Sequence, residues 1–544
     1  MRFRGVIAAA LAGLGPAGAV AFAQSPVAFP SSAYAERRAS LAAQVKGSAI
    51  IVPGRYLVGN HELPKQDANF WYLTGVESPY AVLVIAPDSR PNARAGALRT
   101  ALFLPDSFQF AGAQFPHEDS LFRRAPWNIP RQRLSPGPDA VRATGISEVY
   151  RVREFLQRVN EIVGPARTVY LPTSFDSLYA PLGMLAPRSV EEQISQSIAG
   201  RIGDRDVKDV SPLIKRMRLV KDSFEIASLR AAASISAESM GVLMRSIRPG
   251  MNDLEAAGLL EYEWKKNGSQ RASFAPIIGS GPNSMTFFTV MGENYKAVNR
   301  SMQDGDLLFV DYGAAEFNTY ASDICRTLPV SGKFTPDQLK YYNIVLEAQE
   351  AAIAAVRPGV MMLDVVRAAA LVFKKHGLDR NENPGTMGAD LVWGVMPSPT
   401  HYINRNLGIT KYTRYGAGVR DIGHHVGLET TDGRDWTVPL AAGMVITIEP
   451  KLYIPLKQIA IMIEDMILVT PNGRENLSAA APKRAVDIER EMAAAAERVV
   501  RLNSRLNSRL NSWLNSPTSR PSCALSADFG ASCADQAFAP SPLL

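Results

Sequence analysis

The chain has 544 residues but only three cysteines, Cys325, Cys523 and Cys533. That scarcity excludes a disulfide-stapled scaffold and a zinc ribbon, both of which need closely spaced cysteine sets. Histidine is nearly as scarce, with six residues at 61, 117, 376, 401, 424 and 425, so imidazole chemistry has few candidates. Charged residues make up 20% and hydrophobic residues 46%, which rules out wholesale disorder and a collagen-like repeat. Past the N-terminus, no stretch approaches about 18 uncharged apolar residues, so no stable membrane span is expected in the mature chain. At roughly 150 residues per domain, the length leaves room for two to four folded units.

The one long uncharged stretch runs from Gly5 to Val20, after Arg2 and Arg4 and before Ala21-Phe22-Ala23. A basic start, a short apolar segment and an A-x-A site mark residues 1–23 as a secretory signal peptide, with cleavage expected after Ala23. Pro16 and the abundance of alanine and glycine make this a poor membrane anchor. The expected location is therefore exported, either periplasmic or secreted.

The formal net charge of +7 suggests nucleic acid at first sight. Arg2 and Arg4 account for two of those charges. The region from 501 onward adds a net of +2, from Arg501, Arg505, Arg509 and Arg520 against Asp528 and Asp535, leaving +3 for the remainder. That remainder is too nearly balanced for a nucleic-acid footprint, and no nucleic-acid partner is expected.

From about Ala33 to Pro212 short apolar runs alternate with helical segments, as in an α/β domain. Ala49-Ile50-Ile51-Val52 and Ala81-Val82-Leu83-Val84-Ile85 read as buried strands. The aromatic run from Asn69 to Gly75 suits a strand or an interface, with packing as its role. Residues 213–495 form the second expected domain. Within it, Lys221 to Lys266 carries helical spacing, interrupted at Pro249-Gly250-Met251-Asn252, where Asn252 and Glu255 suit a new helix cap. The same punctuation recurs at Arg357-Pro358-Gly359-Val360, hinting at duplication of one helical unit. Residues 501–544 read as a low-complexity tail, with three Arg-Leu-Asn-Ser tetrads starting at 501, 505 and 509. Cys523 and Cys533 lie within that tail.

The chemistry concentrates between Gly305 and Val469. Leu307-Leu308-Phe309-Val310-Asp311 is an apolar strand ending in a carboxylate, and Asp323 lies in the strand-like run Thr319 to Ile324. A turn over Gly313 to Asn318 would make the two aspartates neighbours in a hairpin. Met444 to Pro450 is a third apolar strand carrying Glu449, and Ile459 to Val469 a fourth carrying Glu464 and Asp465. An isolated buried carboxylate costs several kcal/mol. Arg326 and Lys451 flank these strands but none of the basic residues lies within 459–469, so buried acids here call for metal cations. Four carboxylates balance two divalent ions, and Gly423-His424-His425-Val426-Gly427 offers an imidazole. Such a set suits a two-metal site that activates water against a carbonyl, with Mn²⁺ favoured by the oxygen-rich ligation and Co²⁺, Fe²⁺ or Zn²⁺ as alternatives.

The ordered motifs Val310-Asp311-Tyr312-Gly313, Ser322-Asp323-Ile324-Cys325-Arg326-Thr327, His424-His425-Val426-Gly427-Leu428, Ile448-Glu449-Pro450 and Ile463-Glu464-Asp465 resemble those of the pita-bread metallopeptidases. Phe70-Trp71-Tyr72-Leu73-Thr74-Gly75 before Ala81-Val82-Leu83 resembles the Xaa-Pro aminopeptidase branch, which includes aminopeptidase P and prolidase. The resemblance spans about residues 33–495. It implies an α+β chain, in which an α/β N-terminal domain precedes a duplicated, curved antiparallel sheet with flanking helices. It also implies metal ligands Asp311, Asp323, His424, Glu449 and Glu464, with Glu449 moving the proton. The implied substrate is a peptide with proline at its second position, and the implied assembly is a homo-oligomer.

Four positions depart from the family pattern. A histidine expected after Gly279-Ser280-Gly281 is Phe288, and one expected seven residues past His424 is Thr431. An arginine expected two residues before Glu464 is Met462, and a histidine expected four before His424 is Arg420. Loss of a proton-transfer group typically costs about 10²–10⁴-fold. The alternatives to an active Xaa-Pro aminopeptidase are therefore an impaired homologue acting as a metal-stabilised binding protein and a prolidase-like dipeptidase. Creatinase-like chemistry without metal would not need the carboxylate set.

Overall fold

The computed structural model describes residues 28–55, 65–105, 134–173, 190–285, 300–312, 315–378, 422–433, 437–454 and 457–494. The signal segment, the tail with its two cysteines, His401, Phe288, Arg420 and the domain limit at 495 lie outside the described residues.

In the first half, α1 (Ser31–Gln44), α2 (Ala68–Thr74) and α3 (Pro138–Thr144) precede α4 (Phe155–Val163), α5 (Val190–Ala199) and α6 (Ser211–Leu219). The strands are β1 (Ala49–Pro53), β2 (Val82–Pro87), β3 (Leu98–Leu104), β4 (Glu148–Arg151), β5 (Thr168–Leu171) and β6 (Asp206–Asp209). They form one mixed sheet in the order β4-β3-β2-β1-β5-β6. Both faces are covered, which is why β1 and β2 read as unbroken apolar runs rather than alternating ones. Ile51, Val82, Val84 and Phe103 face α4 and α5, whereas Ile50, Val52, Leu83 and Leu102 face the layer containing α1, α2 and α6.

The aromatic run from Asn69 is a helix, not a strand. Asp67 caps α2 by accepting from the Phe70 N–H at 2.8 Å, and Gly75 closes it in the left-handed region at φ 69°. A Cβ at position 75 would lie 2.4 Å from the Tyr34 ring, so both the cap and the close approach require glycine. The packing role expected for the run holds, since every residue from Asn69 to Thr74 is buried.

The second half opens with α7 (Ser223–Met244) and α8 (Asp253–Lys266), and Asn252 and Glu255 form the expected capping box. Next come β7 (Ile277–Ser280), β8 (Leu307–Asp311), β9 (Glu316–Phe317), β10 (Tyr320–Ala321) and β11 (Cys325–Pro329). A second helix pair, α9 (Pro336–Ala355) and α10 (Met362–Lys375), lies on either side of Pro358-Gly359. It precedes β12 (Val445–Ile448), β13 (Lys451–Ile454), β14 (Ile459–Met462), β15 (Asp465–Thr470) and β16 (Gly473–Asn476). The two helix pairs, each packed together and each leading into antiparallel strands, match the repeat hinted at by the paired Pro-Gly punctuation. Among the described residues, no helix is long and apolar enough to cross a membrane.

Two strand expectations change. The hairpin turn falls at Asn318-Thr319, both at positive φ (50° and 71°), and joins only the short β9 and β10. β8 pairs instead with β11, placing Asp311 opposite Cys325, so Asp323 approaches Asp311 from just before β11. The run from Ile459 to Val469 is two strands, because the chain leaves β13 after Met462 and joins β12 at Asp465.

Candidate metal centre

Each acidic residue of the site stands where a strand ends. Asp311 is the last residue of β8, and Asp323 lies two residues before β11. Glu449 occupies the break between β12 and β13, and Glu464 the break between β14 and β15. The pairings Ile448↔Asp465 and Lys451↔Met462 bracket both breaks, so Glu449-Pro450 and Ile463-Glu464 face one another. At these breaks the backbone finds partners outside its own ladder: Glu449 N–H donates to Ile422 O at 2.9 Å and Glu464 N–H to Cys325 O at 3.0 Å. The chain around His424 is fixed the same way. Thr447 N–H donates to His424 O at 2.8 Å, and the His424 N–H donates to Thr447 Oγ1 at 3.0 Å. A Cβ at Gly423 would sit 2.0 Å from Thr447 O, so only glycine allows this approach.

The five expected residues converge. Asp323, His424 and Glu464 are buried, and each offers a ligand atom within 4.8 Å of the other two. His424 Nε2 lies 3.3 Å from Asp323 Oδ2 and 3.7 Å from Glu449 Oε1. His424 Nδ1 is 3.2 Å from the carbonyl of His425, which can only accept, so Nδ1 carries a proton and Nε2 is the ring nitrogen turned toward the acids. Glu449 is itself oriented, with Oε1 accepting from Thr447 Oγ1 at 3.1 Å.

The electrostatics are those of an unbalanced cluster. Burial, then Asp323 and Glu449, push the Asp311 carboxyl well above the usual carboxylate range. Burial, then Asp323, Glu449 and Asp311, do the same to Glu464. Burial also raises Asp323, against the opposing pull of His424. Asp311 Oδ1, Asp323 Oδ1 and Glu464 Oε2 are buried without a hydrogen-bond partner among the described residues. Orphaned carboxyl oxygens gathered around one imidazole nitrogen fit a divalent cation.

Asp465, adjacent to Glu464, has the opposite surroundings. Arg326 at 2.8 Å, Lys483 at 2.9 Å, Gln349 at 3.1 Å and Asn476 at 2.9 Å surround its carboxylate. Although burial works to raise it, Arg326 and Lys483 hold it below the usual range. The cage also has a cation that the sequence reading had left on its flank. Lys451 Nζ lies 3.0 Å from Glu449 Oε2 with its side chain buried, and its charge works against the rise at Asp311, Asp323 and Glu464.

Of the departures from the family pattern, Thr431 is exposed, and Met462 is buried against Phe309, Cys325 and Ala460. His425 is buried, with its backbone bridged to Gly433 and Ile446. A second buried ionic cluster went unread in the sequence. Asp432 pairs with Arg218 and, at 3.0 Å, with Lys221, while Arg218 also reaches Asn69 at 2.7 Å and Glu429 at 2.6 Å. Its members lie up to 363 positions apart in the chain, and no local spacing announces them.

A model of metallopeptidase family M24 matches residues 227–471, and one of the aminopeptidase P N-terminal domain matches residues 34–170. The Xaa-Pro aminopeptidase of Escherichia coli K12 is 29% identical over 479 residues, spanning 85% of this chain and 98% of that protein. The Xaa-Pro dipeptidase of Pyrococcus furiosus is 30% identical over 313 residues, spanning 56% of this chain and 77% of that protein. The solved structure of E. coli aminopeptidase P with the inhibitor Pro-Leu superposes with a TM-score of 0.63 at 27% identity, covering 86% of this chain and 99% of that one. Fold and site together define a pita-bread metallopeptidase carrying an aminopeptidase P-type N-terminal domain. The chain belongs to metallopeptidase family M24, in the branch of the Xaa-Pro aminopeptidases and prolidases.

Proposed function

We propose that this protein is a metal-dependent Xaa-Pro aminopeptidase, removing the residue that precedes proline at a peptide N-terminus. The observation that carries this reading is the set of orphaned, buried carboxylate oxygens gathered around His424 Nε2. Asp311, Asp323, His424, Glu449 and Glu464 would hold the metal, with donors enough for two ions, and the oxygen-rich set with one nitrogen suits manganese. Bound divalent ions supply Lewis acidity, polarising a carbonyl and acidifying a water. The protein's own groups do the rest. The His425 carbonyl fixes the His424 tautomer, and Thr447 and Lys451 orient Glu449, the residue assigned to move the proton.

The test is release of the first residue from an Xaa-Pro-Yaa tripeptide by the mature protein in Mn²⁺. Absence of release with metal bound removes the peptidase reading. Xaa-Pro dipeptides in the same assay separate aminopeptidase from prolidase-like cleavage. A second reading, a metal-stabilised binding protein with weak catalysis, draws on Met462 and Thr431 in place of the family's arginine and histidine. Introducing Phe288→His with Thr431→His distinguishes the two. A large gain in turnover points to decayed catalysis, and unchanged turnover to a proton path already complete in the present site.

A further inference from the structure

The ionic cluster of Asp432 with Arg218 and Lys221 stands outside the ligand set, yet its backbone reaches into it. Asp432 N–H donates to the His425 carbonyl at 2.7 Å, and the same carbonyl faces His424 Nδ1 at 3.2 Å. His425 N–H donates in turn to Gly433 O at 3.0 Å, so residues 425–433 form a closed loop with Asp432 at its neck. The Asp432 carboxylate folds back against Gly427, where a Cβ would lie 2.1 Å from Oδ2 and 3.1 Å from Lys221 Cε. Gly427 O accepts from the Ala321 N–H at 2.8 Å, and Ala321 lies two residues before Asp323. One loop therefore borders both His424 and the approach to Asp323, two donors of the compact set completed by Glu464. The groups that hold this loop come from the N-terminal side of the molecule. Arg218, on α6, also binds Asn69 of α2 at 2.7 Å, and Lys221 Nζ reaches Asp432 Oδ2 at 3.0 Å. None of the three charged side chains is more than 1% exposed. Parting them would leave a charge buried without its partner, which makes the clamp stiff.

We infer that Asp432, clamped by Arg218 and Lys221, is a positioning residue of the metal centre: it places the carbonyl that aims the His424 imidazole and steadies the approach to Asp323. This rests on reading the cage as the metal centre and adds what holds two of its donors in place. A histidine ligand is oriented by the acceptor on its other ring nitrogen, and loss of such outer support typically costs about 10–100-fold in metal affinity. Here the acceptor is a backbone carbonyl in a loop, so its position depends on whatever fixes the loop. Asp432 does so twice, through its N–H on His425 O and through its carboxylate packed on Gly427. An amide at 432 would keep the shape but offer one acceptor oxygen to two buried cations, turning its NH2 toward one of them.

The experiment is a calorimetric Mn²⁺ titration of the full-length mature protein, with the visible spectrum of the Co²⁺ form recorded alongside, for wild type, Asp432→Asn and Ile162→Ala. Ile162 is buried in α4 within the N-terminal core, so its truncation lowers stability without touching the loop. Asp432→Asn is expected to weaken manganese binding by about 10–100-fold and to shift the Co²⁺ bands, as the imidazole leaves its aim. Ile162→Ala is expected to keep both the affinity and the spectrum of wild type. Wild-type affinity or a wild-type Co²⁺ spectrum in Asp432→Asn overturns the inference, as does an equal loss of affinity in Ile162→Ala. Should Asp432→Asn not fold, Lys221→Met, which removes one of the two cations, takes its place with the same expectation. Tripeptide hydrolysis is read separately, so an inactive protein showing this loss of affinity would defeat the peptidase reading alone. A wild-type protein that binds no manganese would defeat both.

Discussion

Two of the buried acid clusters among the described residues were built to opposite specifications. Around Asp432, Arg218 and Lys221 supply two positive charges to one carboxylate, with a second acid, Glu429, at the solvent edge. Burial works to raise Asp432, yet the two cations hold it below the usual range. Around His424 four carboxylates face one lysine, and burial with mutual repulsion drives Asp311 and Glu464 far upward. The first cluster is complete within the protein and ties α6 to the loop after His424. The second is complete only with added cations. The contrast is sharpest where it is shortest, at Glu464 and Asp465, neighbours in sequence that belong to the open and the closed type respectively.

That contrast can be broken at several points. The largest effect is expected at Glu449→Gln, which keeps shape but cannot take up a proton; tripeptide turnover should fall by about 10²–10⁴-fold, and manganese should bind less tightly because a carboxylate ligand is lost. In the closed cluster, Asp432→Ala leaves Arg218 and Lys221 buried without their carboxylate. Chemical denaturation should show a loss of about 3–5 kcal/mol. In the open cluster, removing an acid should do the reverse. Metal-free Asp311→Asn is expected to be more stable than metal-free wild type by about 1–2 kcal/mol, while binding manganese less tightly. Destabilisation of both Asp432→Ala and metal-free Asp311→Asn would erase the distinction.

The smallest effect is a slope. Asp432 has a folded pKa below its unfolded value, so its contribution is fully present above the unfolded value, about 4, and is lost as pH falls through the folded one. Denaturation midpoints measured from pH 7 downward should therefore decline less steeply below about pH 4 in Asp432→Asn than in wild type.

The sequence made the cage legible because each of its acids interrupts or ends an apolar run, and a carboxylate at the end of Leu307-Leu308-Phe309-Val310 stands out without any structure. The helix cap at Asn252 and the break between helices at Pro358-Gly359 were legible for the same local reason. What was not legible depends on direction or distance. Lys451 reads as a flanking base until the pairing with Met462 shows which way its side chain runs. The aromatic helix α2 was misread because its residue types favour strands, while the deciding signals, Asp67 and Gly75, stand just outside the run. The hairpin at Asn318-Thr319 was misplaced because neither residue is a glycine, although both adopt positive φ.

One packing feature reaches beyond the site. Phe29, Tyr34 and Trp71 from the first half surround Tyr320 from the second, with Trp71 edge-on to Tyr320 at 5.5 Å. The same apolar cluster takes in Val426, Val445 and Met466, and the Met466 sulfur lies 3.3 Å from the Asp323 N–H. The N-terminal half is therefore not a detachable module carried alongside the peptidase half. Cutting the chain between β6 and α7 would strip one wall from the core beneath the cage, so the separated fragments should depend on each other to reassemble, and the intact protein should melt across this seam as one cooperative unit.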